Sequence, residues 1–464
     1  MFFYRRSEVR EAEVDSSRAV RGRFSTRGGL LTRLAALANA RGRPIENRPQ
    51  VENLPHKGGR RSPRRNAVQY NGRSRRPSPP RDSDSISMAS QPPQLDPAPR
   101  PRYARRLLVA CLAACVGAIA LDSLLFRTGF YATILEPDSS TGLFEMVLRR
   151  ELAAQEYTGR PMVATFGNSR FAWSPKAIDH RPGARKYALR SAGVAGSDAR
   201  AWYYMIRDLD PTARRYRALV FGVDDYDDED RYYNPNDDVR ALHYVICRLR
   251  LLDAFEFARS FDSRELQIAA LRGGLLKGIV FQNDLQAFLA NPRKRLAYVR
   301  QCDRDWNTWV YDFEETTDSM AGLEIDWSTL KVTFPPGANA DQRSTVTGFL
   351  AHEPEPQIGR LAAFQRTWYG RIIDRYRGSP TKIVFLRLAR GPVPRPGNLT
   401  HKLSSSIREL ARRPNVILVD EHAFDSLERP ELFRDGMHLN REGIRRFSYM
   451  LEDEIARVLD GAGR

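Results

Sequence analysis

Met162-Val163-Ala164-Thr165-Phe166-Gly167-Asn168-Ser169-Arg170 decides how this chain is read. Apolar and β-branched residues run without a charge and stop at Gly-Asn-Ser, the pattern of a buried strand that ends in a tight turn. The turn displays a hydroxyl at the strand's carboxyl end. Ligand sites of open α/β sheets form outside the carboxyl ends of strands. Ser169 therefore reads in two ways, as the N-cap of the next helix or as a nucleophile.

The far end of the chain supplies a base. Leu432-Phe433-Arg434-Asp435-Gly436-Met437-His438-Leu439-Asn440 precedes an amphipathic stretch. Asp435 and His438 are three residues apart, a spacing that lets one turn carry both on the same side. A serine hydroxyl is a weak nucleophile until a base takes its proton. His438 suits that role, with Asp435 holding its tautomer and steadying the imidazolium. Alone, Asp-x-x-His also describes a loop histidine bonded to a neighbour. The order gives the pair its weight: a strand ending in Gly-x-Ser comes first, and Asp-x-x-His comes last, just before a terminal helix.

That order resembles the SGNH hydrolase superfamily, also called GDSL-like, from about Pro161 to the C-terminus. Four blocks carry the resemblance: Gly167-Asn168-Ser169, Ser191-Ala192-Gly193, Phe221-Gly222-Val223-Asp224-Asp225 and Asp435-Gly436-Met437-His438. It implies a flavodoxin-like three-layer α/β/α domain and a catalytic triad of Ser169, His438 and Asp435. It also implies an oxyanion hole formed by the backbone N–H groups of Ser169 and Gly193, with position 224 as the third member. Two positions depart from the pattern. Asn168 stands where many members have Asp, and Asp224 stands where the family has Asn. An ionised Asp cannot donate a hydrogen bond. Either Asp224 stays protonated, or another donor serves, or activity is altered.

Composition separates a tail from a body. The chain has 464 residues and a formal net charge of +18. Residues 1–106 hold 24 Lys+Arg and 9 Asp+Glu, a net of 24 − 9 = +15, so the remainder carries 18 − 15 = +3. Residues 1–102 are rich in Arg, Pro, Ser and Gly, too poor in apolar surface to offset the entropy of ordering, and read as a disordered basic tail with one short helix over Leu30–Ala40. Residues 103–128 read as a transmembrane helix around the apolar run Leu107–Phe126, which has the length a span needs. Arg102, Arg105 and Arg106 precede it, so the positive-inside rule places the N-terminus in the cytoplasm and the following domain outside the inner membrane, in the periplasm. A start at Met88 with a cleaved signal peptide, or lipoprotein processing at Leu112-Ala113-Ala114-Cys115, leads to the same compartment. The four Cys are not a disulfide framework, though Cys247 and Cys302 could pair under oxidising conditions.

Residues 129–160 read as a linker with an amphipathic helix over Gly142–Tyr157. Residues 161–464 alternate strands and helices, which argues a parallel sheet covered on both faces. The strands fall at Met162–Phe166, Lys186–Leu189, Tyr216–Val223, Thr381–Leu388 and Val416–Val419. Helices run from a Ser197 or Asp198 cap to Leu209, over Gln357–Tyr376 and over His401–Arg412. Between the third and fourth strands, residues 225–354 are too long for a bare loop. This insertion begins with an acidic run from Asp224 to Asp230, a solvated loop rather than an EF-hand since the Gly and closing Glu are missing. It continues with helices over Asp238–Phe261 and Ser263–Ala290, then Trp306, Trp309, Tyr311, Phe313 and Trp327. These aromatics read either as local core or as stacking faces for sugars. The insertion is the natural cap for setting substrate choice.

No dinucleotide fingerprint, phosphate loop or zinc-spaced Cys/His set is present, and the reading calls for no cofactor and no metal. The expected activity is acyl transfer through an acyl-Ser169 intermediate, as an esterase or an O-acyltransferase. The expected partners are the membrane and an acylated envelope polysaccharide or lipid. The resemblance adds a multispanning membrane acyltransferase as a partner. A catalytically silent domain that binds envelope polysaccharide is the other reading. Nucleic acid is not expected, because the basic tail and the domain would lie on opposite sides of a membrane.

Overall fold

The computed structural model describes residues 101–154, 159–172, 181–183, 185–224, 235–306, 318–351, 359–397 and 401–461. The helix expected at Leu30–Ala40, most of the acidic run and Trp309, Tyr311 and Phe313 lie outside them. The described chain falls into two units, 101–121 and 122–461. Helix α1, Pro101–Phe126, begins in the first and ends in the second. Its stretch Tyr103–Phe126 is 24 residues, long and apolar enough to cross a membrane.

Five parallel strands form the sheet: β1 (Met162–Phe166), β2 (Ala188–Ser191), β3 (Ala218–Val223), β6 (Lys382–Arg387) and β7 (Val416–Leu418), in the order β2-β1-β3-β6-β7. A separate antiparallel hairpin pairs β4 (Glu324–Asp326) with β5 (Lys331–Thr333). Alternation along each strand sorts the core into two layers. Ala164, Phe166, Leu219, Phe221, Ile383 and Phe385 face one side, where α2 (Ser140–Ala153), α4 (Ala199–Leu209), α11 (Gly359–Arg375) and α12 (Ser405–Leu410) pack. Val163, Ala218, Val220, Val384 and Leu386 face the other, against α10 (Ala340–Phe349) and the long C-terminal helix α13 (Arg441–Gly461). A strand buried on both faces has no polar alternation, which is why the runs at β1 and β3 are uninterrupted. Along α13, Ile444, Phe447, Leu451, Ile455 and Leu459 form the buried stripe of an amphipathic helix. The result is a three-layer α/β arrangement with a parallel sheet.

The strands match their sequence reading within two residues. The second moves from the expected Lys186–Leu189 to Ala188–Ser191, because pairing with β1 sets its frame: Met162 lies opposite Ala188 and Thr165 opposite Ser191. Helix α4 begins as expected, with Asp198 Oδ1 accepting the Ala201 N–H at 2.9 Å. The His401–Arg412 helix shortens to α12.

Each long helix expected in the insertion is broken in two. Asp238–Phe261 becomes α5 (Pro235–Val245) and α6 (Asp253–Arg259), and Ser263–Ala290 becomes α7 (Arg264–Leu275) and α8 (Lys277–Ala290). Helix α9 (Pro292–Arg304) follows. The cause is one polar joint. Leu276 is extended between α7 and α8, and the buried Asp122 carboxylate accepts the exposed amides of Lys277 at 2.9 Å and Gly278 at 2.5 Å. These are the unsatisfied donors of a helix start, where an anion is favoured. The buried Lys277 ammonium in turn donates to the Ile246 and Leu249 carbonyls, past the end of α5. Periodicity along 238–290 contains no trace of a carboxylate arriving from residue 122. The two cysteines do not pair: Cys247 and Cys302 are free thiols, and Cys247 Sγ donates to Glu145 Oε1 at 2.7 Å.

Burial pulls the Lys277 pKa down to about 8 from an ordinary value of 10.5. A base with a depressed folded value carries fewer protons folded than unfolded between those limits. Stability therefore rises with pH across that window, on the order of 1 kcal/mol per unit. Denaturant titrations of the full chain at pH 8, 9 and 10, beside Lys277→Met, should show this rise in the wild type and a flatter profile in the variant.

Candidate active site

Strands β1 and β3 are neighbours from which the sheet grows in opposite directions, so a crevice opens at their carboxyl ends. Gly167-Asn168-Ser169 leaves β1 there, and Asp224 leaves β3. Helix α3 (Ser169–Ala172) starts at the serine. Two glycines set the floor. A Cβ on Gly167 would lie 2.5 Å from Phe171 Cβ, and one on Gly222 would lie 2.5 Å from Phe171 Cγ. The buried Phe171 ring occupies the space of both absent side chains and pins the turn to the sheet.

The two readings of Ser169 separate here. Asn168 is the cap: its Oδ1 accepts the Arg170 N–H at 3.0 Å, and its carbonyl accepts the Phe171 N–H at 3.0 Å. Ser169 is left free to face His438, with 3.0 Å between Oγ and Nε2. On the far side of the ring, His438 Nδ1 lies 2.9 Å from Asp435 Oδ2 and 3.1 Å from Oδ1. A proton on Nδ1 directed at the carboxylate leaves Nε2 as the acceptor for the serine hydroxyl. Asp435 Oδ1 also accepts the Met437 and His438 amides, both at 2.8 Å. Burial alone would raise the Asp435 carboxyl, but His438 and these amides outweigh it, and the net shift is downward. The carboxylate thus stays charged opposite an imidazolium.

The base loop is held from several directions. The Arg434 N–H donates to the His438 carbonyl at 2.9 Å, and Asn440 Nδ2 donates to Glu431 O at 2.7 Å and Asp318 O at 3.1 Å. Helix α10 of the insertion leans on the loop. Gly436 N donates to Thr345 Oγ1 at 3.1 Å, and Gln342 Nε2 donates to Arg434 O at 2.7 Å. A Cβ on Gly436 would lie 2.8 Å from the Thr345 carbonyl carbon, so the approach requires glycine. This part of the insertion, expected from sequence to be a cap, braces the loop that carries His438.

Gly193 lies between two pinned amides. Ala192 N donates to Thr165 O at 2.9 Å and Val194 N to Gly167 O at 3.1 Å, which holds Gly193 beside the nucleophile turn. Asp224 does not take the donor position that the resemblance gives to its counterpart. Its Oδ2 accepts from Asn168 Nδ2 at 3.1 Å and pairs with Arg170 Nη1 at 3.4 Å. Arg170 Nη2 continues to the carbonyls of Ala389 and Arg390. The two positions that depart from the family pattern are therefore bonded to each other, and the side chain at 224 is an acceptor. Sequence reading missed Arg170, whose only signal was its place directly after the serine. Trp306 packs at the edge of one core layer and Trp327 at the edge of the other, which favours the local-core reading for these two.

A second polar cluster lies apart in sequence from the triad. His401 Nδ1 and His422 Nδ1 lie 3.1 and 2.7 Å from Asp425 Oδ2, and the ligand atoms of all three fall within 4.8 Å of one another. Nitrogen and carboxylate donors at such spacing suit a transition metal. However, Asp425 Oδ1 is already bound by the buried Arg387, which also pairs with Glu428. That guanidinium satisfies the carboxylate without an ion. No protein-family model matches this chain, and no curated protein matches it.

The Asn168–Asp224 bond predicts a compensated exchange. Asp224→Asn leaves a buried guanidinium without its carboxylate, and Asn168→Asp sets two carboxylates in contact, so each should cost about 2 kcal/mol or more. The double variant Asn168→Asp/Asp224→Asn restores one amide and one carboxylate and should recover at least half of the summed loss. Denaturant midpoints of the four proteins, treated as a double-mutant cycle, measure this.

Proposed function

We propose that the protein is a membrane-anchored serine esterase or O-acyltransferase of the SGNH type, with a flavodoxin-like domain. The observation that carries the reading is the unbroken relay Ser169–His438–Asp435. In this mechanism His438 Nε2 takes the hydroxyl proton as Ser169 Oγ attacks an ester carbonyl. The tetrahedral oxyanion is received by the backbone N–H groups of Ser169 and Gly193. His438 then protonates the leaving alkoxide, and an acyl-Ser169 ester remains. Water or a sugar hydroxyl, deprotonated by the same imidazole, releases the acyl group. Asp435 stays ionised and stabilises the imidazolium in both half-reactions.

The apolar helix α1 and the basic residues Arg102, Arg105 and Arg106 in its first turns support a single-pass inner-membrane protein with a cytoplasmic N-terminus and a periplasmic domain. An anchored, extracytoplasmic enzyme of this kind suits an acylated envelope polysaccharide or lipid, working beside a multispanning membrane acyltransferase. A second reading, a silent polysaccharide-binding domain, draws on the acceptor role of Asp224, which leaves the oxyanion hole one donor short of the family pattern.

A fluorophosphonate probe separates the two readings. The wild type should be labelled at Ser169 and should turn over p-nitrophenyl acetate. Ser169→Ala and His438→Ala should lose about a thousandfold or more in turnover with little change in stability, and Asp435→Asn should keep weak residual activity. Absence of labelling in the folded wild type favours the silent domain, and full activity in Ser169→Ala removes the assignment.

A further inference from the structure

Among the described residues, several large apolar side chains are exposed on the body beside the point where α1 ends. Leu252 is 90% exposed, Phe255 64%, Phe130 63%, Leu251 51% and Leu275 46%. Leucines and phenylalanines at such exposure are ordinary when scattered, but these five lie on segments that touch. Arg127, directly after α1, donates through Nη2 to Gly274 O at 2.6 Å and Leu275 O at 3.0 Å. A Cβ on Gly274 would lie 2.5 Å from Ala254 Cβ, so the 251–255 segment runs alongside the end of α7. The Asp122 joint at the start of α8 fixes the same corner to the last turn of α1.

The charges around the corner are sorted. Asp253 pairs with Arg207, and Glu256 with Arg371 at 2.8 Å, so the acids of the segment are neutralised by partners. Arg272 is exposed beside the apolar residues, as is Arg250, which pairs with Asp208 at 3.4 Å. A run of about 20 residues spans the hydrocarbon layer at 1.5 Å per residue. Asp122 and Phe126 are buried against the body, so the exposed apolar run of α1 closes within its last turn, and what that turn touches lies at the level of the headgroups. An apolar rim with arginines beside it is the composition that binds an interface, with rings and leucines in the acyl boundary and guanidiniums among phosphates.

We propose that Phe130, Leu251, Leu252, Phe255 and Leu275 form a second membrane contact that seats the domain directly on the phospholipid bilayer. The proposal rests on the reading of α1 as a membrane span. The partner is the lipid surface itself, because the patch is continuous with the end of the span.

The test uses the full chain reconstituted in phosphatidylcholine/phosphatidylglycerol vesicles, with the photoreactive residue p-benzoylphenylalanine replacing one side chain at a time. Leu252 and Phe255 probe the patch, Leu112 probes the span, and the exposed Lys331 on β5 is the control. Irradiation should add the mass of one phospholipid at 112, 252 and 255, and none at 331. Lipid adducts at 112 without any at 252 or 255 overturn the patch and leave the span intact. No lipid adduct at 112 overturns the span. Crosslinked dimers in place of lipid adducts at 252 and 255 assign the patch to a second copy of the chain and overturn the proposal. Because two patch positions are probed, one poorly folding variant does not decide the result.

Discussion

One contact, 3.0 Å between Ser169 Oγ and His438 Nε2, joins residues 269 positions apart. A loose loop would not hold such a distance. It persists because both ends are fixed independently. The serine end is fixed by the sheet: β1 lies between β2 and β3, and the Phe171 ring locks the turn over Gly167 and Gly222. The histidine end is fixed by Asp435, which gathers two amides and the ring, and by α10, which presses on Gly436. The contact is thus held by the fold on both sides, an arrangement of the kind a proton-transfer relay uses.

The sheet was legible because its strands are buried on both faces and therefore written in unbroken apolar runs. That Ser169, His438 and Asp435 come together was legible because their residue types are chemically specific and their order along the chain is informative. The insertion was harder to read. Its helices break at Leu276 and after Val245 for reasons that reside in Asp122 and Lys277, far away in sequence, and local periodicity cannot register a cap supplied from elsewhere. Arg170 was missed for a related reason. Its side chain joins the Asp224 carboxylate to the carbonyls of Ala389 and Arg390, and no spacing in the sequence announces such a bridge. The edge strand β2 was displaced by two residues because its position follows from pairing with β1 and its own propensity is weak.

Positions 168 and 224 are understood as a bonded pair. Taken singly, an Asp at 224 removes a donor. Taken with Asn168, it forms an amide–carboxylate pair, and the buried Arg170 supplies the countercharge. The pair couples the exit of β1 to the exit of β3, so the width of the crevice is set by side chains that need not touch a substrate.

The shared ring of Phe171 has a consequence for how this scaffold can diversify. The floor beneath Ser169 and part of one core layer are the same ring, so neither Gly167 nor Gly222 can acquire a side chain without displacing it. Change beneath Ser169 is thereby restricted to exchanges that keep Phe171 and both glycines compatible. A single aromatic side chain thus ties Gly167 and Gly222 into one steric unit, in which a change at any of the three disturbs the other two.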